Sequence, residues 1–331
     1  MVSTTRFTDP AAVDAWDRWF RWRNGDGLRD RTIDATWWRV ADALAGVEGG
    51  QARTWAQRYV DAFSRWQLLP DERLLRMAGT DSRLHPFDSP GATLNVAAFV
   101  LAPLTQRARF DGERFAGIAA LAVRLLDDAL VAMHGAAATF ADLRIGLIGL
   151  GDALHLLGLA YEDTGAAEQA RAVAKALATG TLQGTAELAA ERGPIDDSPR
   201  YRVALWRDRG LAPAVIEDAL CRGIRHRKLT AIALQPRLAL LSNNASDALD
   251  PAPPRRGEAV SKPGARSAVD AEARLRAQLG IRAAIQPWID APIDYPLALS
   301  GEPDPQTIAS TSRLAGAYGL SEPTFRCTQG P

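Results

Sequence analysis

Leu229-Thr-Ala-Ile-Ala-Leu-Gln-Pro-Arg-Leu-Ala-Leu-Leu-Ser-Asn-Asn-Ala-Ser-Asp-Ala-Leu-Asp-Pro251 decides how this chain is read. Its two apolar runs, 229–234 and 237–241, are the best strand-like segments of the sequence, and Gln235-Pro236 separates them. Backbone N–H groups in a turn at a helix N-terminus bind phosphate through hydrogen bonds and the helix dipole. Pro236 has no N–H to give, and Gln235 and Arg237 put bulk where a phosphate must come close. Arg237 could instead pair with a phosphate through its guanidinium.

Upstream, hydrophobic periodicity predicts helices. Over 31–48, Ile33, Trp37, Val40, Ala41 and Leu44 share a face, and Gly49-Gly50 ends the run. A second helix, about 51–67, carries Trp55, Tyr59, Phe63 and Trp66 at three- and four-residue steps. A long helix over 110–130 points Phe115, Ile118, Ala122, Leu125 and Leu126 inward, and another, over 166–192, stops at Gly193-Pro194. Trp16, Trp19 and Trp22 form a drifting helical stripe, either a docking face against the main body or an interface for a partner. Asp127-Asp128 reads as a solvated helix edge, since adjacent positions diverge by about 100° and cannot act as one carboxylate pair. Residues 252–270 have linker composition; a short helix near 270–286 and a Pro-broken tail follow. Helices far outnumber strand-like runs, which predicts a mainly α fold.

Taken in order, several blocks resemble the large subunits of ribonucleotide reductases. The stretch quoted first is similar, without a gap, to the family's substrate-phosphate segment, roughly L-T-A-I-A-P-T-G-T-I-S-L-L-A-x-x-x-S-S-G-I-E-P. Leu229 to Ala233, Leu240, Leu241, Ser246, Leu249 and Pro251 match, while Gln235, Pro236, Arg237 and Ala239 replace small family residues; the phosphate contacts that the resemblance implies are Thr230, Gln235, Arg237 and Ser246. Leu68–Thr80 resembles F-L-P-N-S-P-T-L-M-N-A-G-T through its Leu-Pro and its Met77-Ala78-Gly79-Thr80. Ser89–Val100 resembles C-N-L-G-S-I-N-L-A-x-F-V, and Phe110–Leu130 resembles F-D-W-E-x-L-x-x-x-V-x-x-A-V-R-x-L-D-D. Arg144–Tyr161 is similar to R-I-G-L-G-x-M-G-L-A-D-A-L-x-x-L-G-x-x-Y, two residues short. The resemblance covers about 30–251 and ends at Pro251. It implies a ten-stranded α/β barrel behind a helical N-terminal region. Here the helices remain and most strands are missing. The expected organisation is a helical N-terminal region at 1–80, a reductase-like helical core with remnant strands at 81–251, a linker at 252–270, and a short helix with an irregular tail at 271–331.

The resemblance also implies a radical reaction. A thiyl cysteine takes a ribose hydrogen, two more cysteines reduce the 2′ position, and a glutamate and an asparagine assist. In the family the radical cysteine sits in N-x-C-x-E, upstream of the C-N-L block. Only the nine residues Asp81–Ser89 fill that interval here. Leu84-His85-Pro86-Phe87 stands where the family has L-S-x-C-F, and Ser89 aligns with the cysteine opening C-N-L. A serine hydroxyl cannot close a disulfide. No catalytic or redox residue is assigned.

Cys221 and Cys327 are the two cysteines present. Cys221 reads as an inert helix-face residue, or as a thiol activated by the basic run Arg222–Lys228. Cys327 is placed like the cysteine-bearing tails of the family, which carry a pair. Gly146, Gly149 and Gly151 have the order G-x-x-G-x-G with no strand expected before them, so close helix packing is preferred to dinucleotide binding. His85, His134, His155 and His226 show no ligand spacing, so no metal is expected.

Basic and acidic residues balance at 39 each, against the basic excess a nucleic-acid surface needs. No apolar run is long enough to cross a membrane. The start lacks a secretion signal and two cysteines make no disulfide framework, so the chain is placed in the cytoplasm. Two functions follow from the resemblance, which is closest to the adenosylcobalamin-dependent, class II type. One is a non-catalytic accessory or binding protein related to deoxyribonucleotide synthesis, with no cofactor of its own and an intact reductase or a second copy as partner. The other is a shortened ribonucleoside-diphosphate reductase component that completes its active site with another chain.

Overall fold

The computed structural model describes residues 4–25, 27–82, 84–135, 142–251, 268–300, 304–321 and 323–328. The first helix, α1 (Pro10–Ala15), starts where Asp9 accepts a hydrogen bond from Ala11 N and Pro10 takes a position that needs no N–H. A π-turn over Trp16–Phe20 and a small hairpin, β1 (Arg23–Asn24) with β2 (Gly27–Leu28), lead into α2 (Ile33–Ala45). The predicted face of α2, Ile33, Trp37, Val40, Ala41 and Leu44, is buried. Gly49, at φ 57°, separates α2 from α3 (Ala52–Ser64), which packs against it. Next come β3 (Leu68–Pro70), α4 (Glu72–Met77), β4 (Gly91–Asn95), and a second hairpin of β5 (Val100–Leu101) and β6 (Arg109–Phe110).

The centre of the molecule is a helix pair, α5 (Gly112–His134) and α7 (Thr164–Arg192). The residues of α7 that face α5 include Gly180 and Gly184, which lie so close to the Ala116 and Ala120 backbone that an added Cβ would overlap it. Between the two helices come β7 (Arg144–Ile148) and α6 (Leu150–Leu156). After α7 follow α8 (Val203–Asp208), α9 (Pro213–Arg222), α10 (Pro236–Leu241), α11 (Ala268–Ile285), β8 (Leu297–Ser300), α12 (Pro305–Ala317) and β9 (Phe325–Thr328).

The main sheet runs β3-β4-β7, with β4 antiparallel to β3 and parallel to β7. The segment 229–233 joins its edge through single bridges: Ile145 N donates to Leu229 O and Ala231 N to Ile145 O. Residues 290–294 add outside it, with Ala291 N donating to Thr230 O and Asp294 N to Ile232 O. One apolar cluster runs from Trp16 through α2, α3, α5, α7 and the sheet to Tyr295; a small second one joins Leu279, Leu297 and Ala315. The fold is mainly α with a remnant of sheet, and no barrel closes among the described residues.

Several expectations are corrected. Residues 237–241 form α10, not a strand: Pro236 supplies the fixed φ of a first helical turn, and Leu and Ala carry it on. Residues 229–234 make bridges without becoming a continuous strand. The Trp16–Trp22 stripe leaves the helix at Arg21, and Trp16 is buried, donating through Nε1 to Thr36 Oγ1, so the docking reading holds for it. The tail is not irregular: Asp304 caps α12 with Pro305 at its first position, and β8 pairs in parallel with β9. Of the expected linker, 252–267 lie outside the described residues and 268–270 belong to α11.

Candidate functional site

The four candidate phosphate residues engage four different parts of the protein. Thr230 is buried; its N donates to Asp290 Oδ2 at 3.3 Å, and its Oγ1 accepts from Asp290 N at 2.9 Å. Arg237 turns outward, paired with Glu72 Oε2 at 2.8 Å and lying over the Trp19 ring. Ser246 and Asp152 exchange bonds: Ser246 N donates to Asp152 Oδ2 at 2.7 Å and Asp152 N to Ser246 Oγ at 3.2 Å. Gln235 precedes α10, and its N donates to Asp247 Oδ1 at 2.9 Å. Asp247, unremarked in the sequence reading although it stands where the family pattern has serine, thus sets a resident carboxylate at the amide a phosphate would use. Burial raises its carboxyl, assisted by the nearby Asp250 charge and opposed by the Gln235 N–H and Arg326.

The same segment is bound to the C-terminal part. Buried Asp250 accepts from Tyr161 OH at 2.7 Å, from Arg282 Nη1 at 3.1 Å and Nη2 at 3.2 Å, and from Arg326 Nη2 at 3.2 Å. Tyr295 OH donates to Asp247 O at 2.8 Å. A cleft of about 160 Å³ lies beside the loop, walled by Pro236, Asn244, Asp247, Asp250, Tyr295 and Arg326.

The glycines lie in other surroundings than expected. Gly146 is inside β7, and Gly149, at φ 72°, starts the turn into α6. A strand–glycine–helix turn is what a dinucleotide site needs. Here the protein's own chain covers it: Gly149 N donates to Ser246 O at 2.7 Å, and a Cβ on Gly151 would stand 2.5 Å from Pro251 Cα. Close packing is their role, as backbone approach and not as helix-to-helix contact.

Asp127 and Asp128 are not solvated. Both are 0 % exposed on α5, at the heart of an ion cluster. The guanidinium of Arg192 pairs with Asp127, with Asp128 Oδ1 at 2.7 Å and with Glu48 Oε1 at 2.6 Å. Arg225 Nε donates to Asp127 Oδ1 at 2.7 Å, Arg124 pairs with Glu48 at 2.8 Å and Glu191 at 2.5 Å, and Tyr59 OH donates to Asp128 Oδ2 at 2.5 Å. Burial would raise the Asp127 carboxyl, but His226 and Arg225 hold it well below the usual carboxylate range. Burial pushes Asp128 up to about 7, against the pull of Tyr59 and Arg192.

Thr185, His226 and Asp127 are connected like a hydrolytic triad, with Thr185 Oγ1 3.1 Å from His226 Nδ1 and His226 Nε2 3.1 Å from Asp127 Oδ1. Thr185 Oγ1, however, already accepts from the N–H groups of Arg225 and His226 at 3.0 Å each. Both lone pairs are used, so its proton points at His226 Nδ1, the ring is the neutral Nε2–H form, and the buried hydroxyl is no nucleophile. Burial lowers His226 in keeping with this.

Cys221 is an exposed free thiol on α9, and Cys327 belongs to β9. His85, His134 and His155 are exposed and scattered. Among the described residues, no group of three or more His, Cys, Asp or Glu is placed to hold a metal ion, and no helix is long and apolar enough to cross a membrane.

Comparison with known families places both halves of this architecture. Residues 6–83 match the ribonucleotide reductase all-alpha domain and residues 91–233 match the ribonucleotide reductase barrel domain. The comparison with curated proteins found no match. Seven residues separate the two matched regions, which follow in the order in which the sequence blocks resemble the family. The chain belongs to the ribonucleotide reductase large-subunit family.

Proposed function

We propose that this chain is a non-catalytic member of its family, a binding or accessory protein of deoxyribonucleotide synthesis that works beside an intact reductase. The observation that carries this reading is the hydrogen bond from Gln235 N to Asp247 Oδ1. A bound phosphate needs free N–H donors and no competing anion. Here Pro236 has no donor, the adjacent N–H serves a carboxylate of the same loop, and the cleft-wall Arg326 is already paired with Asp250. Thr230 and Ser246 are occupied with Asp290 and Asp152, and Arg237 with Glu72.

The sulfur chemistry supports the same conclusion. Ribose reduction needs a thiol beside the sugar and two more to supply electrons. Cys221 is exposed on α9, and Ser89 stands where the family opens its C-N-L block with cysteine. Adenosylcobalamin, the cofactor of class II reductases, supplies a radical that a buried thiol must receive. Cys221 is exposed rather than buried, and neither it nor Cys327 stands at a position where the family motifs carry cysteine, so these residues do not fit that cofactor's task and no step is assigned to it.

The test is direct. The purified chain is incubated with ribonucleoside diphosphates and triphosphates, adenosylcobalamin and a dithiol, and deoxyribonucleotide is measured. Separately it is used to capture an intact reductase from a defined mixture. No product together with capture of the reductase is the expected result. Turnover by the chain alone would overturn the reading; turnover only with a companion bearing the N-x-C-x-E cysteine would replace it with a shortened, two-chain reductase.

A further inference from the structure

The buried ion cluster distributes its charge unequally. Arg192 serves three carboxylates, those of Glu48, Asp127 and Asp128. Asp127 has further donors in Arg225 and His226, and Glu48 has a second cation in Arg124, itself shared with Glu191. Asp128 has only its share of Arg192 and the neutral hydroxyl of Tyr59. It is completely buried, where an uncompensated carboxylate is expensive. The oxygens of Tyr59 and Asp128 are 2.5 Å apart, within reach for a proton on Asp128 Oδ2 to be given to the phenol oxygen.

The location gives that proton a consequence. Tyr59 belongs to α3 and Glu48 to the turn between α2 and α3, both inside the region matching the all-alpha domain. Asp127 and Asp128 lie on α5, Glu191 and Arg192 at the end of α7, and Arg225 and His226 beyond α9. These are the charged and titratable groups that the described elements direct at the cluster. His226 and Asp127 touch only α5, α7 and each other's loop, so separation of α3 leaves their bonds intact.

We propose that Asp128 is a proton-operated switch on the attachment of the N-terminal helices: protonated, it holds α3 against α5, and ionised, it loosens that contact. The raised carboxyl of Asp128, which burial brings to about 7, accords with this geometry. Loosening α3 admits water to an anion that has too little counter-charge when docked. The sign follows. Between the ordinary carboxylate value and that of the docked state, the docked form keeps a proton that the open form has lost, so attachment weakens as pH rises and then levels off.

Hydrogen exchange on the full chain tests this, with rates corrected for intrinsic chemistry. Opening of the α3 amides is expected to rise by roughly tenfold per pH unit between about pH 5 and about pH 7 and to flatten above that. Central α7 amides should not follow. Asp128→Asn, which keeps the shape without the charge, should make α3 opening independent of pH. Tyr59→Phe removes a donor to the anion and should move the flattening point to higher pH. A flat wild-type profile overturns the proposal, as does an unchanged slope in Asp128→Asn. Should Asp128→Asn fail to fold, the infrared band of a protonated buried carboxyl decides. Its loss on raising the pH of wild type through neutrality, at a higher pH in Tyr59→Phe, supports the switch, and its absence overturns it.

Discussion

Replacing Gly180 by alanine tests whether the α5–α7 pair is the rigid centre of this fold. In a helix interior the change ordinarily stabilises by about 0.5–1 kcal/mol, because glycine loses more backbone freedom on folding. Here the new methyl would overlap the carbonyl oxygen of Ala116 and stand 2.7 Å from its carbonyl carbon and 2.8 Å from its Cα. Carbon atoms pack favourably at about 3.5–4.0 Å, so the helices must separate by most of an ångström locally, which forfeits part of every contact along the seam. Overpacking of this kind costs about 1–3 kcal/mol and more where backbone blocks the way. The expected net result is a loss of roughly 2 kcal/mol despite the better helix former. Gly117→Ala provides the control: it lies on the exposed side of α5 with nothing within 4 Å, and should gain about 0.5–1 kcal/mol. Urea denaturation followed by tryptophan fluorescence and circular dichroism measures both. If Gly180→Ala were as stable as Gly117→Ala, the close approach, and the central role given to this pair, would be wrong.

Arg192→Met leaves three carboxylates with too few cations and should cost about 3–5 kcal/mol in the same denaturation assay. Combining it with Asp128→Asn should restore part of that loss, as a double-mutant cycle would record. Global stability should depend weakly on pH between the ordinary aspartate and histidine values, because two groups oppose each other. His226, lowered by burial, excludes a proton that the unfolded chain takes up as pH falls below 6.5, which destabilises; Asp128, raised, keeps one that the unfolded chain has lost, which stabilises. Asp128→Asn should therefore expose the histidine slope, up to about 1.4 kcal/mol per pH unit, and a variant profile as flat as wild type would contradict the pairing. Gly151→Ala should push residues 250–251 away from α6 and destabilise by about 1–3 kcal/mol, against a small gain if that approach is not real.

The helical part of the fold was legible because burial there follows a 3.6-residue period. On α2 the five residues picked from spacing are all buried, and on α5 Phe115, Ala122, Leu125 and Leu126 are, with Ile118 half-buried. Periodicity failed where tertiary contacts invert what a residue type suggests. Asp127-Asp128 looks like a water-facing edge, but its cations come from Arg192 and Arg225, 65 and 98 positions away along the chain. The run 237–241 is short enough to suit strand or helix, and Pro236 decides it locally. Proline misled in the opposite direction in the tail, where Pro305 opens α12 rather than breaking it. At the candidate site the resemblance singled out the loop, yet gave no hint that Asp290, Tyr295 and Arg326, beyond its reach, would complete the surroundings.

The loop from Leu229 to Pro251 separates two kinds of constraint. Of its positions that match the family, Leu229, Thr230, Ala231, Ile232, Leu241, Ser246 and Leu249 are buried, and Ala233, Leu240 and Pro251 are half-buried. Packing alone is enough to hold them: each fills core space or satisfies a backbone donor, with or without a ligand. Of the substituted positions, Gln235 is half-buried and Pro236 and Arg237 are exposed, while Ala239 is buried on α10. Ala248 sharpens the distinction, since it holds a left-handed φ of 46° where the family pattern has glycine. The backbone path survives at a conformational cost of about 1–2 kcal/mol, as expected if the turn is needed to pack against α6. In the turn as it stands, Pro236 offers no N–H and the carboxylate of Asp247 accepts the one from Gln235. On the proposed non-catalytic reading this is the expected outcome, since packing against α6 needs the backbone path and a phosphate would need the free donors.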